Sequence, residues 1–308
     1  MDKKNSIQKF REEIKSIITD FKNGIFVTYT KRIIIRFIRL FGYDLKGIKK
    51  KITHNDFDSI IKFLLKDKKE HVYFDVGANI GDSIERFKKI NTNALIHSFE
   101  PTPDLSKKLK DKHSLDKSII INNCGITDLK GKLKFYSYKY HRVNSFVKID
   151  ENSKFLKSRL LNVKSNREDF EKIIDVDTTT IDIYCEENNI NEIDFIKIDT
   201  QGSEEQSLKG MQNILSKGKV SIIELELILG FAYEKIFSFY DYEKYLNKHN
   251  YKLIALDNPG NIISYSNYQT NLLYVKNEIF ENIRELHNAN KNIAGVTKKA
   301  DRSNPFSY

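Results

Sequence analysis

The segment Val72–Arg86, VYFDVGANIGDSIER, constrains this 308-residue chain more than any other. A short apolar run ends at Asp75. Gly77, Asn79 and Gly81 follow at alternate positions, and Asp82 opens a stretch of helical length. Glycine takes backbone angles that a Cβ forbids, and asparagine tolerates left-handed geometry better than most residues. Such a turn lets the main chain approach a ligand closely. It delivers that ligand to a helix start, where free N–H groups favour a carboxylate or phosphate. The order D-x-G-x-N-x-G departs from the dinucleotide fingerprint G-x-G-x-x-G. An amino-acid-type sulfonium cofactor suits it better, its carboxylate meeting the turn amides and Asp75 assisting its ammonium directly or through water. Glu100 ends the next apolar run, in HSFEP, 19 residues after Gly81. A carboxylate there can accept hydrogen bonds from both hydroxyls of a ribose, and Pro101 then turns the chain.

The same rhythm repeats downstream. Apolar runs at 71–76, 94–99, 117–121, 193–198 and 220–225 alternate with helical stretches at 82–90, 104–113 and 203–215. That alternation predicts a parallel sheet with helices on both faces. Runs at 251–256 and 271–276 have no long helix between them and predict a closing antiparallel hairpin. Residues 132–138, KLKFYSY, alternate polar and apolar as a half-buried edge strand does. The polar stretch 139–175 reads as an irregular excursion or lid on the acceptor side. The expected organisation is a helical N-terminal extension over 1–70, a catalytic α/β domain over 71–280, and a C-terminal helix and tail over 281–308.

Composition narrows the class. Hydrophobic residues make up 40% of the chain, enough for a sizeable core. The two cysteines, Cys124 and Cys185, cannot build a disulfide framework or a four-thiolate zinc site, which points to a reducing, cytoplasmic setting. Residues 24–41, GIFVTYTKRIIIRFIRLF, are too often interrupted by charge to span a bilayer. As a helix they would align Arg32, Arg36 and Arg39 in one stripe. Such a helix could dock on the domain or on a second copy of the chain, or lie on the cytoplasmic face of an anionic membrane. The net charge of +10 is spread along the whole chain, which fits solubility better than a nucleic-acid footprint.

Four blocks in order, FDVGANIGDS, HSFEPTPD, INNCGITDLKGKLKFY and TTTIDIYCEENNINEIDFIKIDTQGSEEQSLKGM, resemble the FkbM-type S-adenosyl-L-methionine-dependent methyltransferases. The resemblance runs from about His71 to about Glu226. It implies a class I methyltransferase (Rossmann-like) fold, a seven-stranded sheet with a reversed final hairpin. It also implies S-adenosyl-L-methionine as cofactor and O-methylation of a sugar hydroxyl on a glycan, glycolipid or nucleotide-sugar. Position by position, Asp75, Gly77, Asn79 and Gly81 match the cofactor turn and Glu100 the ribose acid. Asn123 and Cys124 match the segment bordering the adenine, and Asp199 the acid of the K-I-D-x-E-G block. Two positions depart from the pattern: Gln201 stands where the block carries Glu, and Cys124 where a small residue such as Ala is usual.

Methyl transfer to a hydroxyl needs positioning and a proton acceptor. Asp199 ends IDFIKID at the carboxyl edge of the sheet, where open α/β sheets bind ligands. Glu204 follows in the first helical turn. Glu224 lies inside the apolar run VSIIELEL, sharing its face with Glu226 by period 2. His141, in YKYHRVNSF, has a side chain whose ordinary pKa suits a base. With no His-Asp-Glu cluster at metal spacing, a metal-independent reaction is expected. Base methylation of nucleic acid is disfavoured because DTQGSEE lacks a proline-aromatic platform for a flipped base. An RNA 2′-O-methyltransferase and a non-catalytic membrane-surface scaffold are the rival readings.

Overall fold

The computed structural model describes residues 54–164, 166, 169–228, 232–234, 236–257 and 269–285. The chain divides into two compact units, Met1–Lys51 and Ile52–Tyr308, and every described residue belongs to the second. The amphipathic stretch 24–41 and the tail after 285 lie outside the described residues.

Five parallel strands carry the sheet: β1 (Val72–Val76), β2 (Leu95–Phe99), β3 (Ile119–Asn122), β7 (Ile193–Ile198) and β8 (Val220–Ile228). The hairpin β9 (Tyr251–Leu256) and β10 (Gln269–Lys276) completes it, with β10 antiparallel to both β8 and β9. The order is β3-β2-β1-β7-β8-β10-β9. A central parallel set with an inverted last strand inserted beside its fifth member is the class I methyltransferase sheet, as the strand rhythm and resemblance implied. The strands are nearly continuous apolar runs because both faces are covered. On one face Phe74, Ile196, Ile198 and Leu225 pack; on the other lie Tyr73, Phe195 and Ile222 with Ile84 and Phe87 of α2 (Asp82–Ile90). The second face also receives Phe57, Ile61 and Leu65, two of them from helix α1 (His54–Leu64). Thus the end of the expected N-terminal extension forms part of the sheet's covering layer.

The strand at 132–138 is an edge strand, as its alternation implied, but of a second sheet rather than the main one. It becomes β5 (Gly131–Tyr138), which pairs antiparallel along its length with β6 (Glu171–Thr179) in a separate sheet ordered β4-β6-β5, where β4 is Gly125–Ile126. Its partner is drawn from the stretch read as irregular. That stretch also holds a 3-10 turn at His141–Val143 and a helix α4 (Lys154–Asn162) capped by the Ser153 hydroxyl. Its apolar groups are spaced too unevenly to show a period in sequence. They nonetheless meet in a third cluster that includes Tyr138, Val143, Phe155 and Tyr233.

The helix expected over 203–215 is two helices, after α3 (Pro103–Lys112) and α5 (Ile181–Glu187): α6 (Glu204–Lys209) and α7 (Gln212–Ser216). A Cβ on Gly210 would lie 2.0 Å from the Thr127 carbonyl oxygen, so only glycine fits the break. The Asp182 carboxylate accepts from the amides of Asn213 and Ile214 at 2.8 and 2.9 Å, capping the second piece from another helix. Helix α8 (Phe239–Lys248) begins with a capping box between Ser238 and Asp241.

Candidate active site

The turn after β1 is built by backbone strain that its sequence relieves. Gly77, Asn79 and Gly81 all have positive φ, at 92°, 49° and 88°. A Cβ on Gly77 would meet the Asp199 carbonyl oxygen at 2.0 Å, so glycine here lets the β1 and β7 ends close against each other. The turn amides are largely committed. Gly77 and Ala78 donate to the Phe99 carbonyl, Gly81 donates to the Ala78 carbonyl, and Asn79 donates to Glu100 Oε2 at 2.8 Å. The turn amides expected to hold a carboxylate are therefore mostly taken. Helix α2 begins at Asp82 with no side-chain cap.

Glu100 is the joint between two loops. Its Oε2 takes the Asn79 amide and its Oε1 takes the Thr102 amide at 2.8 Å. A carboxylate offers about four lone-pair sites, so room for a hydroxyl donor remains. Burial pushes its pKa up, and the Thr102 side chain with the Thr102 and Asn79 amides oppose that shift. Asn123 Nδ2 donates to the carbonyls of Glu100 and Pro101 at 3.0 and 3.1 Å, fixing the bend from behind.

One cavity at the carboxyl edge gathers Gly77, Asn79, Glu100, His141 and Asp199. Phe99, Phe135 and Phe146 give it an apolar wall beside Gly125. Asn123 and Cys124 stand behind that wall rather than in it, with Cys124 packed against the main core. Gly81 lies at the foot of α2 against Leu109. Asp75 is fully buried beneath the turn, where Ser83 of α2, Lys197 and Arg86 are its polar surroundings. Burial pushes its pKa up to about 6, against the pull of Lys197.

Glu224 and Glu204 are buried but do not line this cavity. Asp75, Lys197 and Glu224 stand side by side in register on β1, β7 and β8, forming a row of charge across one sheet face. Glu224 completes the row by a two-pronged pair with Arg86 of α2, both nitrogen–oxygen distances being 2.8 Å. Arg86 Nε also donates to Asp58 of α1 at 2.6 Å. Glu224 is thus a partner for an arginine, not the pocket acid expected from its place in an apolar strand. Glu204 accepts from the Thr200 and Gly202 amides and folds the loop after β7.

Burial pushes Glu204 up to about 7. A carboxyl raised in the folded chain binds its proton more tightly there than when unfolded, so its stabilising effect is full at low pH and is lost as pH rises. The thermal midpoint of the wild type should therefore fall relative to Glu204→Gln between about pH 4.5 and about pH 7. Parallel melting curves that keep a constant offset would refute this.

Asp199 sits at the cavity floor with 28% of its side chain exposed. It accepts from Lys197 Nζ at 2.7 Å and from Gln201 Nε2 at 2.9 Å. Burial opposes its charge, but Lys197 holds its pKa below the usual carboxylate range. The same Gln201 nitrogen donates to Glu226 Oε2 at 2.6 Å, and Tyr233 donates to Gln201 Oε1 at 3.2 Å. Burial, with Asp199 and Glu204 nearby, pushes Glu226 well up. An amide at 201 lets one side chain donate to both acids while accepting from Tyr233; a carboxylate there would keep the Tyr233 donor but have nothing to donate to Asp199 and Glu226.

His141 is fixed by the cofactor turn. Asn79 Nδ2 donates to the His141 carbonyl at 3.0 Å, so Asn79 Oδ1 faces the ring and Nδ1 donates to it at 2.8 Å. The proton is therefore on Nδ1, and Nε2 keeps its lone pair. Burial, Arg142 and Lys108 all lower the pKa of His141 and keep it neutral. Lys197 was legible as a charge inside IDFIKID. Arg142, Tyr140 and Arg159, which also line the cavity, carried no signal in the polar excursion.

The site suits a nucleoside-bearing amino-acid cofactor. Glu100 has acceptor capacity for a ribose hydroxyl and the apolar wall can take a flat ring, whereas the start of α2 and the fully buried Asp75, expected at the amino-acid end, do not line the cavity. Among the described residues no three His, Cys, Asp or Glu side chains are grouped to hold a metal ion, and no helix is long and apolar enough to cross a membrane.

The family model for the methyltransferase FkbM domain matches residues 75–253. The chain is 24% identical over 196 residues to the 2-O-methyltransferase NoeI of Sinorhizobium fredii, covering 64% of this chain and 76% of that protein. Among solved structures, the magnesium protoporphyrin IX methyltransferase ChlM of Synechocystis with bound SAM aligns over 80% of this chain and 96% of its own, at 11% identity and a TM-score of 0.40. The 1,6-didemethyltoxoflavin-N1-methyltransferase of Burkholderia thailandensis aligns over 87% and 89%, at 8% identity and a TM-score of 0.38. With more than half its length matched, the chain belongs to the FkbM methyltransferase family and is an S-adenosylmethionine-dependent methyltransferase.

Proposed function

We propose that this methyltransferase acts on oxygen, and that its acceptor is a sugar hydroxyl of a glycan, glycolipid or nucleotide-sugar. The observation that carries the reading is the Asn79–His141 lock. A hydroxyl must lose a proton as it is methylated, and a neutral imidazole with a free Nε2 in the cavity wall can accept one. Bound S-adenosylmethionine supplies an electrophilic methyl carbon. Glu100 would hold the cofactor's ribose and Asp199 its ammonium, with Asp75 adding charge below the turn. Asp199, held ionised by Lys197, orients polar groups at the floor and is the weaker base of the two. The match to a 2-O-methyltransferase supports oxygen as the acceptor atom. A wall mixing Tyr140, Phe146 and Asn144 offers both ring faces and hydrogen bonds to a hydroxylated ring.

His141→Gln should lower kcat by about 10² to 10⁴ while S-adenosylhomocysteine still binds. The wild-type rate should fall on the acid side with an apparent pKa below the ordinary histidine value of about 6.5, and the variant should lose that limb. An unchanged profile in the variant would assign the base elsewhere. The acceptor itself is named by mass spectrometry of glycans from cells with and without the active protein. The expected result is the loss of one CH₂ on a single residue type. Identical glycans in both would overturn the sugar assignment.

A further inference from the structure

Tyr140, His141 and Arg159 of the cavity wall belong to a stack of planar groups that Phe155 extends behind it. The Arg159 guanidinium of α4 lies 4.8 Å from the centre of the Phe155 ring and 5.1 Å from that of Tyr140. Tyr140 in turn stacks on His141 at 6.5 Å, with 19° between planes. Two aromatic faces fix the plane of the arginine and leave its edges for hydrogen bonding. Yet Arg159 has no ion-pair partner among the described residues, and its buried Nε has no hydrogen-bond acceptor. No other nitrogen of this guanidinium has an acceptor among the described residues either, so its cavity side is open to a partner from outside the protein.

The acids around the cavity do not fill that need. Glu100 is engaged by Asn79 and Thr102, and Asp199 by Lys197 and Gln201. The other cation in the wall, Arg142, pairs with Asp82 at 3.0 Å at the exposed rim. Within the wall, then, one clamped guanidinium faces the acceptor space without a counter-charge.

We propose that Arg159 is an anion-recognition residue and that the acceptor sugar carries an anionic substituent, a phosphate ester or a uronic-type carboxylate, which docks on its planar fork. The inference rests on the sugar O-methyltransferase reading and narrows it to charged sugars. Planar carboxylate and phosphate oxygens match the guanidinium two at a time, which a neutral hydroxyl cannot do. Tyr140 links this subsite to His141, so a bound anion would place the ring carrying it beside the proton acceptor.

The test is calorimetric titration of the full chain, saturated with S-adenosylhomocysteine, with glucuronate, glucose 1-phosphate and glucose. At least one anionic sugar should bind about tenfold or more tighter than glucose, and which of the two does so identifies the anion. Arg159→Gln should weaken that binding by about 10 to 100-fold, and Arg159→Lys should fall between, keeping the charge but losing the fork. Melting curves check that both variants fold. Equal binding of glucose and the anionic sugars, no binding of either anionic sugar, or an Arg159→Gln variant that binds them like wild type would each overturn the proposal. Wild-type chain that fails to bind S-adenosylhomocysteine would instead overturn the methyltransferase reading, and sugar titrations without it would still report on Arg159.

Discussion

Replacing Arg86 with alanine should lower the thermal unfolding midpoint by about 6 to 20 °C. The side chain of Glu224 is fully buried and that of Arg86 is 11% exposed, so their pair has little water around it. Removing the arginine leaves the buried Glu224 carboxylate without its hydrogen-bonded partner, a loss of about 3 to 5 kcal/mol for pairs of this kind. For a domain of this size each kcal/mol moves the midpoint by about 2 to 4 °C. Asp58 loses its partner as well, but it is part-exposed and can be hydrated. Glu224→Ala should destabilise by a similar mechanism, leaving the guanidinium unpaired. The double change Arg86→Met with Glu224→Met should recover most of the loss, because a matched apolar pair needs no desolvation of charge. Scanning calorimetry of the two single variants and the double variant decides the matter. Single variants that melt like wild type would mean that the pair is hydrated in solution.

Glu100→Ala should weaken S-adenosylhomocysteine binding by about 10² to 10⁴. A hydrogen bond from a hydroxyl to a carboxylate accounts for about 1.5 to 3 kcal/mol. The substitution also strands the Asn79 and Thr102 amides, which then no longer hold the two loops in register. Glu100→Gln is the sharper variant. Its oxygen can take one amide, but its NH₂ group turns donors toward the other, so part of the loss should persist although shape and volume are kept. Calorimetric titration gives both affinities. Affinity unchanged in Glu100→Ala would place the ribose elsewhere. Loss in Glu100→Ala with full retention in Glu100→Gln would mean that charge is unimportant there.

The strand rhythm, the glycine turn and Glu100 were legible in the sequence because each is a local requirement. A buried parallel strand is a short apolar run, a positive φ selects glycine or asparagine, and a strand-ending acid stands out against its neighbours. The positions of Gly77, Asn79, Gly81 and Glu100 follow from those rules alone. The split of residues 203–215 into two helices was not legible, since it depends on the Thr127 carbonyl reaching Gly210 from another part of the chain.

Charge pairing and cavity walls were set only by the tertiary structure. Glu224 reads as a lone acid in an apolar strand until the fold brings Arg86 to it across 138 residues. His141 reads as a loop histidine until Asn79, 62 residues earlier, fixes its tautomer. The stack of Phe155, Arg159, Tyr140 and His141 assembles from a segment with no hydrophobic period at all. Sequence periodicity records what each residue needs from solvent and from its own backbone. Which distant partner meets that need is decided by packing, because desolvated charges and planar side chains find partners through space rather than along the chain.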